Sequence, residues 1–354
     1  MGKNSAYYKE LAKKQKAKIS EKKKKLPNYV HSFIDDCELN YQPNTVIAYA
    51  DDLITFMEYL IDKNPLYRKS QTKDIPLEAL DLLTREDINA FQAYLSNNMY
   101  EGEHYHASGQ LGVARKMATI RNFFEYLESN SYIKSDPTVK AAKGKRKKKD
   151  AIVRMDKDEV SELLRVVETS DLASKRARSA SKITALRDTA IITLLLNTGI
   201  RVSECVGLDL EDVNFNDNSI TIVRKGGSTA IIYFNKATNI ALQDYILHER
   251  NNFIENNSER ALFISSQTHT RMAVRTIQYM VKKYSTEAVH GKNISPHKLR
   301  STYGTNLYKK SKDIYMVADV LGHKDVNTTT KHYAAMDDEH RRQAATYDVY
   351  DMNE

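Results

Sequence analysis

The segment DPTVKAAKGKRKKKDAI, residues 136–152, constrains the fold of this chain more than any other stretch. It holds a helix-stopping proline, a glycine and six basic residues between Lys143 and Lys149, with no apolar periodicity. Such a stretch has no face to bury, so it reads as a linker. With 354 residues, the chain is long enough for two domains of ordinary size. The expected layout is a lysine-rich leader over 1–26 and a helical domain over 27–139. A basic linker follows over 140–151, then a second domain over 152–340 and a tail over 341–354.

Before the linker the pattern is helical. From Pro43, the residues Val46, Tyr49, Leu53, Phe56, Met57 and Leu60 recur at spacings of three and four and mark one apolar face. Thr84 with Asp87 resembles a capping box, with Asp in place of the usual Glu or Gln, and opens a helix striped by Ile88, Phe91, Tyr94 and Leu95. A further helix runs from about Val113 to Asn130. Met117, Ile120, Phe124 and Leu127 face inward, while Arg115, Lys116 and Arg121 face outward, either as a solvated face or to meet phosphate. Residues 63–76 and 98–112 read as loops. The lysine-dense run over 9–26 is either a solvated, partly helical leader or an arm that follows a DNA backbone.

After the linker the pattern changes. Asp156 and Glu159 cap a helix striped by Val160, Leu163, Leu164 and Val167. A strongly apolar helix over 183–197 ends at Gly199, a natural left-handed residue for a helix end. SITIVRKGGSTAIIYF alternates apolar and polar on both sides of Gly226-Gly227, the pattern of a hairpin. Helices return from about Thr238. The expected fold class is therefore mainly α, with a small antiparallel β-sheet in the C-terminal domain.

Lys and Arg total 54 against 46 acids, a net charge of +8, which suggests an acidic partner such as nucleic acid. The two cysteines, Cys37 and Cys205, lie far apart and outside any CxxC, so neither a disulfide framework nor a cysteine zinc site is expected. No apolar run approaches the roughly 18–20 residues that span a membrane. The opening MGKNSAYYKE has no apolar core of a secretory signal. The expected location is cytoplasmic, with no membrane association.

Three stretches carry candidate chemistry. In NTGIRVSECVGL, residues 197–208, Arg201 follows a glycine-ended helix and precedes a new one that Ser203 would cap. Its planar fork suits two phosphate oxygens, or else a surface ion pair with Glu204. In SPHKLRSTYGTNL, residues 295–307, Ser295 would cap a helix with Pro296 at its first position. His297 and Arg300 then share a face near exposed N–H groups that favour an anion, although a satisfied surface pair is the blander reading. In LGHKDVNTTTKHYAAM, residues 321–336, an apolar helix ends at Leu321-Gly322, His323 follows, and Tyr333 stands ten residues beyond it.

In this order, Arg201, His297-x-x-Arg300, Leu321-Gly322-His323 and Tyr333 resemble the tyrosine recombinase (phage integrase) family. TGIRVSE, SPHKLRST and LGH are similar to its motif boxes over roughly residues 150–340, and the overall length and box wording are most similar to the Xer-type recombinases. QPNTVIAYADDLITFMEYL is similar to that family's core-binding domain. The resemblance implies a two-domain, C-shaped clamp on DNA, formed by a helical core DNA-binding domain and a catalytic domain. It assigns Lys225, in the hairpin turn, as the catalytic lysine, with Arg224 as its rival. It implies Tyr333 as nucleophile, Arg201 and Arg300 as phosphate clamps, His297 as proton acceptor, His323 as a phosphate ligand and Glu204 in support. Lys225 would be the general acid.

Lys143, Lys145, Arg146 and Lys147 of the linker, with Arg115, Lys116 and Arg121, are the expected DNA-backbone contacts. No metal and no cofactor is implied. The implied partner is double-stranded DNA with a specific site. The chain would be monomeric when free, tetrameric on two sites, and associated with the nucleoid when bound. Chromosome-dimer resolution and mobile-element integration or excision both fit, with or without a helper protein. A type IB topoisomerase and a non-catalytic DNA-binding regulator are the alternatives.

Overall fold

A computed structural model describes residues 6–97, 109–142, 153–255 and 259–323. The chain divides into two compact units, residues 4–150 and residues 151–354.

The first unit is helical: α1 (Ala6–Lys23), α2 (Asn28–Asn40), α3 (Pro43–Lys63), α4 (Leu77–Asp81), α5 (Arg85–Asn97) and α6 (Gln110–Ser129). Its core forms where the expected stripes meet. Val46, Leu53, Phe56 and Met57 of α3 pack with Phe91 of α5 and with Ile120, Phe123 and Phe124 of α6, all essentially without exposure. Phe56 and Phe91 meet edge to face at 4.9 Å, as ring quadrupoles prefer. Thr84 and Asp87 form the reciprocal pair at the start of α5, the Thr84 amide donating to the Asp87 carboxylate at 2.8 Å.

The lysine-dense run is neither purely solvated nor apart from this unit. It forms α1 and packs on α3, with Ile19 and Leu26 buried. Lys22 pairs with Asp51 and Lys23 with Asp35. On α6, Arg115 is exposed and Lys116 half-buried, and both turn onto Asp52. Arg115 donates both Nη atoms to the two Asp52 oxygens at 2.6 Å, and Lys116 Nζ lies 3.4 Å away. The reason is Asp52 itself, whose side chain is wholly buried and whose charge needs partners. Thr119 completes the set at 2.7 Å. Arg121 Nη2 donates to the Ala142 carbonyl at 3.3 Å.

The second unit contains α7 (Lys157–Thr169), α8 (Lys175–Lys182), α9 (Ala185–Thr198) and α10 (Val202–Val206). The strands β1 (Val213–Asn214), β2 (Ser219–Val223) and β3 (Thr229–Tyr233) come next. The helices α11 (Lys236–His248), α12 (Val274–Ala288), α13 (Pro296–Ser311) and α14 (Ile314–Leu321) complete it. Apolar almost all round, α9 is its central rod, against which α7, α11 and α13 pack. The Glu249 carboxylate accepts from the Leu186 and Arg187 amides at 2.9 and 3.0 Å and so holds the first turn of α9. Burial pushes that carboxyl above the ordinary range, against those two amides and the Arg187 charge.

The sheet is antiparallel in the order β1-β2-β3, with Ile220 opposite Ile232 and Val223 opposite Thr229. Gly226 and Gly227 turn the hairpin at φ of +102° and +87°, backbone that L side chains rarely adopt.

Candidate active site

The site begins where α9 stops. Gly199 takes φ of +63° and its amide donates to the Leu195 carbonyl at 3.1 Å. A side chain here would overlap the Tyr303 ring and lie 2.9 Å from Leu321, so glycine lets α9 end against α13 and α14. Tyr303 is packing; it joins Tyr308, Val317 and Leu321.

Arg201 follows two residues later. The expected cap at Ser203 is corrected: α10 starts at Val202 and Arg201 occupies the cap position. Ser203 already lies inside the helix, so the acceptor comes from Glu204. Its buried carboxylate accepts from the Arg201 amide at 2.7 Å and from Arg201 Nη1 at 2.9 Å. The ion pair and the fork geometry were posed as rivals on sequence, yet one carboxylate orients both the backbone and the guanidinium of Arg201. The guanidinium remains about one-third exposed, and its Nη2 reaches toward the Gly322 carbonyl at 3.5 Å.

Ser295 stands at the cap position of α13 with Pro296 first in the helix, but the serine side chain makes no cap bond. Its carbonyl closes the turn instead, accepting from the Lys298 and Leu299 amides at 2.8 and 3.0 Å. His297 is exposed and Arg300 is buried. Arg300 Nη1 donates to the Gly199 carbonyl at 2.6 Å and Nη2 to the Leu321 carbonyl.

The Gly-His box closes α14. Gly322 is left-handed at φ of +61°, and the His323 amide donates to the Ala318 carbonyl at 2.9 Å. His323 is half-buried.

A third guanidinium arrives from the hairpin, one that the sequence left without a role. Arg224 Nη1 donates to the Leu321 carbonyl and Nη2 to the Val320 carbonyl, each at 2.9 Å. Burial, with Arg201 nearby, lowers the Arg224 pKa below the ordinary guanidinium value. Lys225, the next residue, is exposed at the turn.

Arg201, Arg224 and Arg300 thus converge on the carboxyl ends of α9 and α14. Helix ends present unpaired carbonyls and a partial negative charge, which offset repulsion among the cations. Glu204 supplies a full negative charge. Tyr333, and the linker residues Lys143, Lys145, Arg146 and Lys147, lie outside the described residues. Among the described residues, no three His, Cys, Asp or Glu side chains gather as a metal site, and no helix is long and apolar enough to cross a membrane.

The description "Phage integrase family" belongs to the family model that matches residues 153–340. The chain is 33% identical over 311 residues to tyrosine recombinase XerC of Caldanaerobacter subterraneus subsp. tengcongensis, covering 85% of this chain and 80% of that protein. It is 30% identical over 345 residues to tyrosine recombinase XerS of Streptococcus mutans serotype c, covering 92% and 96%. Among solved structures, the XerH site-specific recombinase bound to its difH substrate, a pre-cleavage complex, matches with a TM-score of 0.60 at 18% identity, over 86% of this chain and 79% of that one.

Proposed function

The chain belongs to the phage integrase family of tyrosine recombinases, and on that premise we propose that it cuts and rejoins duplex DNA at a specific site through a 3′-phosphotyrosyl link. The observation that carries this reading is the meeting of Arg201, Arg224 and Arg300 beside His323, from motifs far apart in the chain.

Strand cleavage needs a nucleophile, charge stabilisation and a proton for the leaving oxygen. The Tyr333 hydroxyl oxygen forms a bond to phosphorus as the bond from phosphorus to the 5′-oxygen breaks. The phenol, with an ordinary pKa of about 10, needs a proton acceptor at neutral pH, and His297 takes that part. Lys225 gives a proton to the leaving 5′-oxygen. Arg201 and Arg300 hold the non-bridging oxygens as charge builds, each preorganised donor being worth roughly 2.7–4 kcal/mol. His323 hydrogen-bonds the same phosphate, and Glu204 keeps Arg201 aimed. One ester replaces another, so rejoining needs no ATP.

The linker cations Lys143, Lys145, Arg146 and Lys147 would follow the phosphate backbone. Four copies would assemble on two sites in the cytoplasm, on nucleoid DNA, for chromosome-dimer resolution or for movement of a mobile element. The test is covalent capture. Full-length protein is incubated with a pool of nicked duplexes that includes its own genomic flanks. A denaturation-resistant adduct that disappears in Tyr333→Phe is the expected result. Tight binding with no adduct would overturn the catalytic reading.

A further inference from the structure

On sequence, Arg224 only competes with Lys225 for the part of the turn cation. The structure separates them. Lys225 is exposed at the turn, while Arg224 is half-buried and folds away from it. Its fork spans two successive carbonyls, Val320 and Leu321, at 2.9 Å each. A lysine ammonium is a point donor and cannot span that pair in a plane.

The main chain of the same residue closes the turn. The Arg224 amide donates to the Ser228 carbonyl at 2.7 Å, and the Arg224 carbonyl accepts from the Gly227 amide at 3.0 Å. Backbone and side chain of one residue therefore fix two objects, the turn and the end of α14. The fit on the far side is equally tight. A Cβ on Gly322 would lie 2.5 Å from Arg224 Cζ and 2.8 Å from Nε. Glycine at 322 thus meets two demands, a left-handed helix end and room for this guanidinium.

We infer that Arg224 is a positioning residue that locks the turn bearing Lys225 onto the Gly322-His323 box, so that the two move as one piece. The catalytic consequence rests on the recombinase reading above; the mechanical one does not. A displacement of about 1 Å at a reacting group can lower a rate about 10²-fold.

Two measurements on the full chain test this. Hydrogen exchange of the free protein reads the lock without any DNA. Losing two charge-assisted hydrogen bonds should raise exchange about tenfold in Arg224→Ala, both at the Gly227 amide and at the Gly322 and His323 amides. Unchanged exchange at either end overturns the lock, whatever the protein does to DNA.

The second measurement uses the duplex that wild-type protein captures best from the nicked pool, in two forms. One has the ordinary 5′-oxygen at the cleaved bond. The other has sulfur there, so that a thiolate leaves and needs no proton. Lys225→Ala is the control, and sulfur should restore its rate. Arg224→Ala should cut the oxygen substrate about 10²-fold slower, bind the duplex as wild type does, and recover at least a part of its rate on sulfur. Arg224→Lys should not restore the oxygen rate. A wild-type oxygen rate in Arg224→Ala, or the same loss on both substrates, overturns the inference. If Arg224→Ala does not fold, Arg224→Gln, which keeps the stem and one amide donor, gives the same readouts. Failure of wild type to capture any duplex speaks against the recombinase reading instead, and leaves the exchange result to decide the lock.

Discussion

Asp52 offers the sharpest check on the first unit. Its side chain is wholly buried and accepts two bonds from Arg115, one from Thr119 and a longer one from Lys116. In Asp52→Ala the buried Thr119 hydroxyl loses its acceptor, a loss of about 1–3 kcal/mol. Lys116, only 18% exposed on its side chain, loses its counter-charge, whereas Arg115, 49% exposed, can turn to water and adds little. The whole comes to roughly 2–4 kcal/mol, short of the 3–5 kcal/mol typical for breaking a fully buried pair. For a unit of this size that lowers Tm by roughly 4–16 °C. Calorimetry on the full chain measures it, paired with DNA titrations of Arg115→Ala at two salt concentrations. An Asp52→Ala protein that melts as wild type does would refute the reasoning. So would an Arg115→Ala protein with unchanged Tm, weaker DNA binding and a salt slope shallower by about 1, because the guanidinium would then serve a phosphate and not Asp52.

Two further outcomes follow from burial. Cys37 and Cys205 are both free, at 2% and 0% exposure; burial pushes the Cys37 thiol up to about 12 and raises Cys205 as well. Neither should react with a thiol reagent until denaturant is added, and rapid labelling of native protein would contradict the packing around them. Glu249 gives a pH dependence. Its carboxyl is raised in the folded chain above an ordinary value near 4.5, so the folded state holds the proton over a range where the unfolded chain has released it. That contribution is complete below the unfolded pKa and is lost as pH rises through the folded one. Urea midpoints taken upward from pH 4.5 should fall more in wild type than in Glu249→Gln, and parallel curves would rule the shift out.

Periodicity carried the cores because it is local: the stripe from Val46 to Leu60 needs only the chain around it. What periodicity misses is what lies opposite. It says that Arg115 leaves the apolar face of α6, and it cannot say that Asp52, 63 residues earlier, waits there. Lysine density hid α1 for a related reason. The helix buries Ile19, and Leu26 is buried just past its end, too few to make a stripe. At α10 the serine looked like the cap, but the acceptor is the glutamate one position on, which also serves the side chain of Arg201. Arg224 showed only as a rival to Lys225 at the turn. A cation beside a turn is ordinary, and only the fold brings Val320 and Leu321 to meet it.

The motifs alternate arginines with glycine-ended helices, and electrostatics supplies a reason. Three guanidinium groups in one site repel one another. Each is held instead by the carboxyl end of a helix: Arg300 by the Gly199 and Leu321 carbonyls, Arg224 by Val320 and Leu321, and Arg201 by Gly322 at longer range. The carboxyl ends of two helices, the Glu204 carboxylate and, near Arg224, the Asp319 carboxylate offset that repulsion. On the recombinase reading a phosphodiester adds its own negative charge to a cluster of cations that the fold has already gathered.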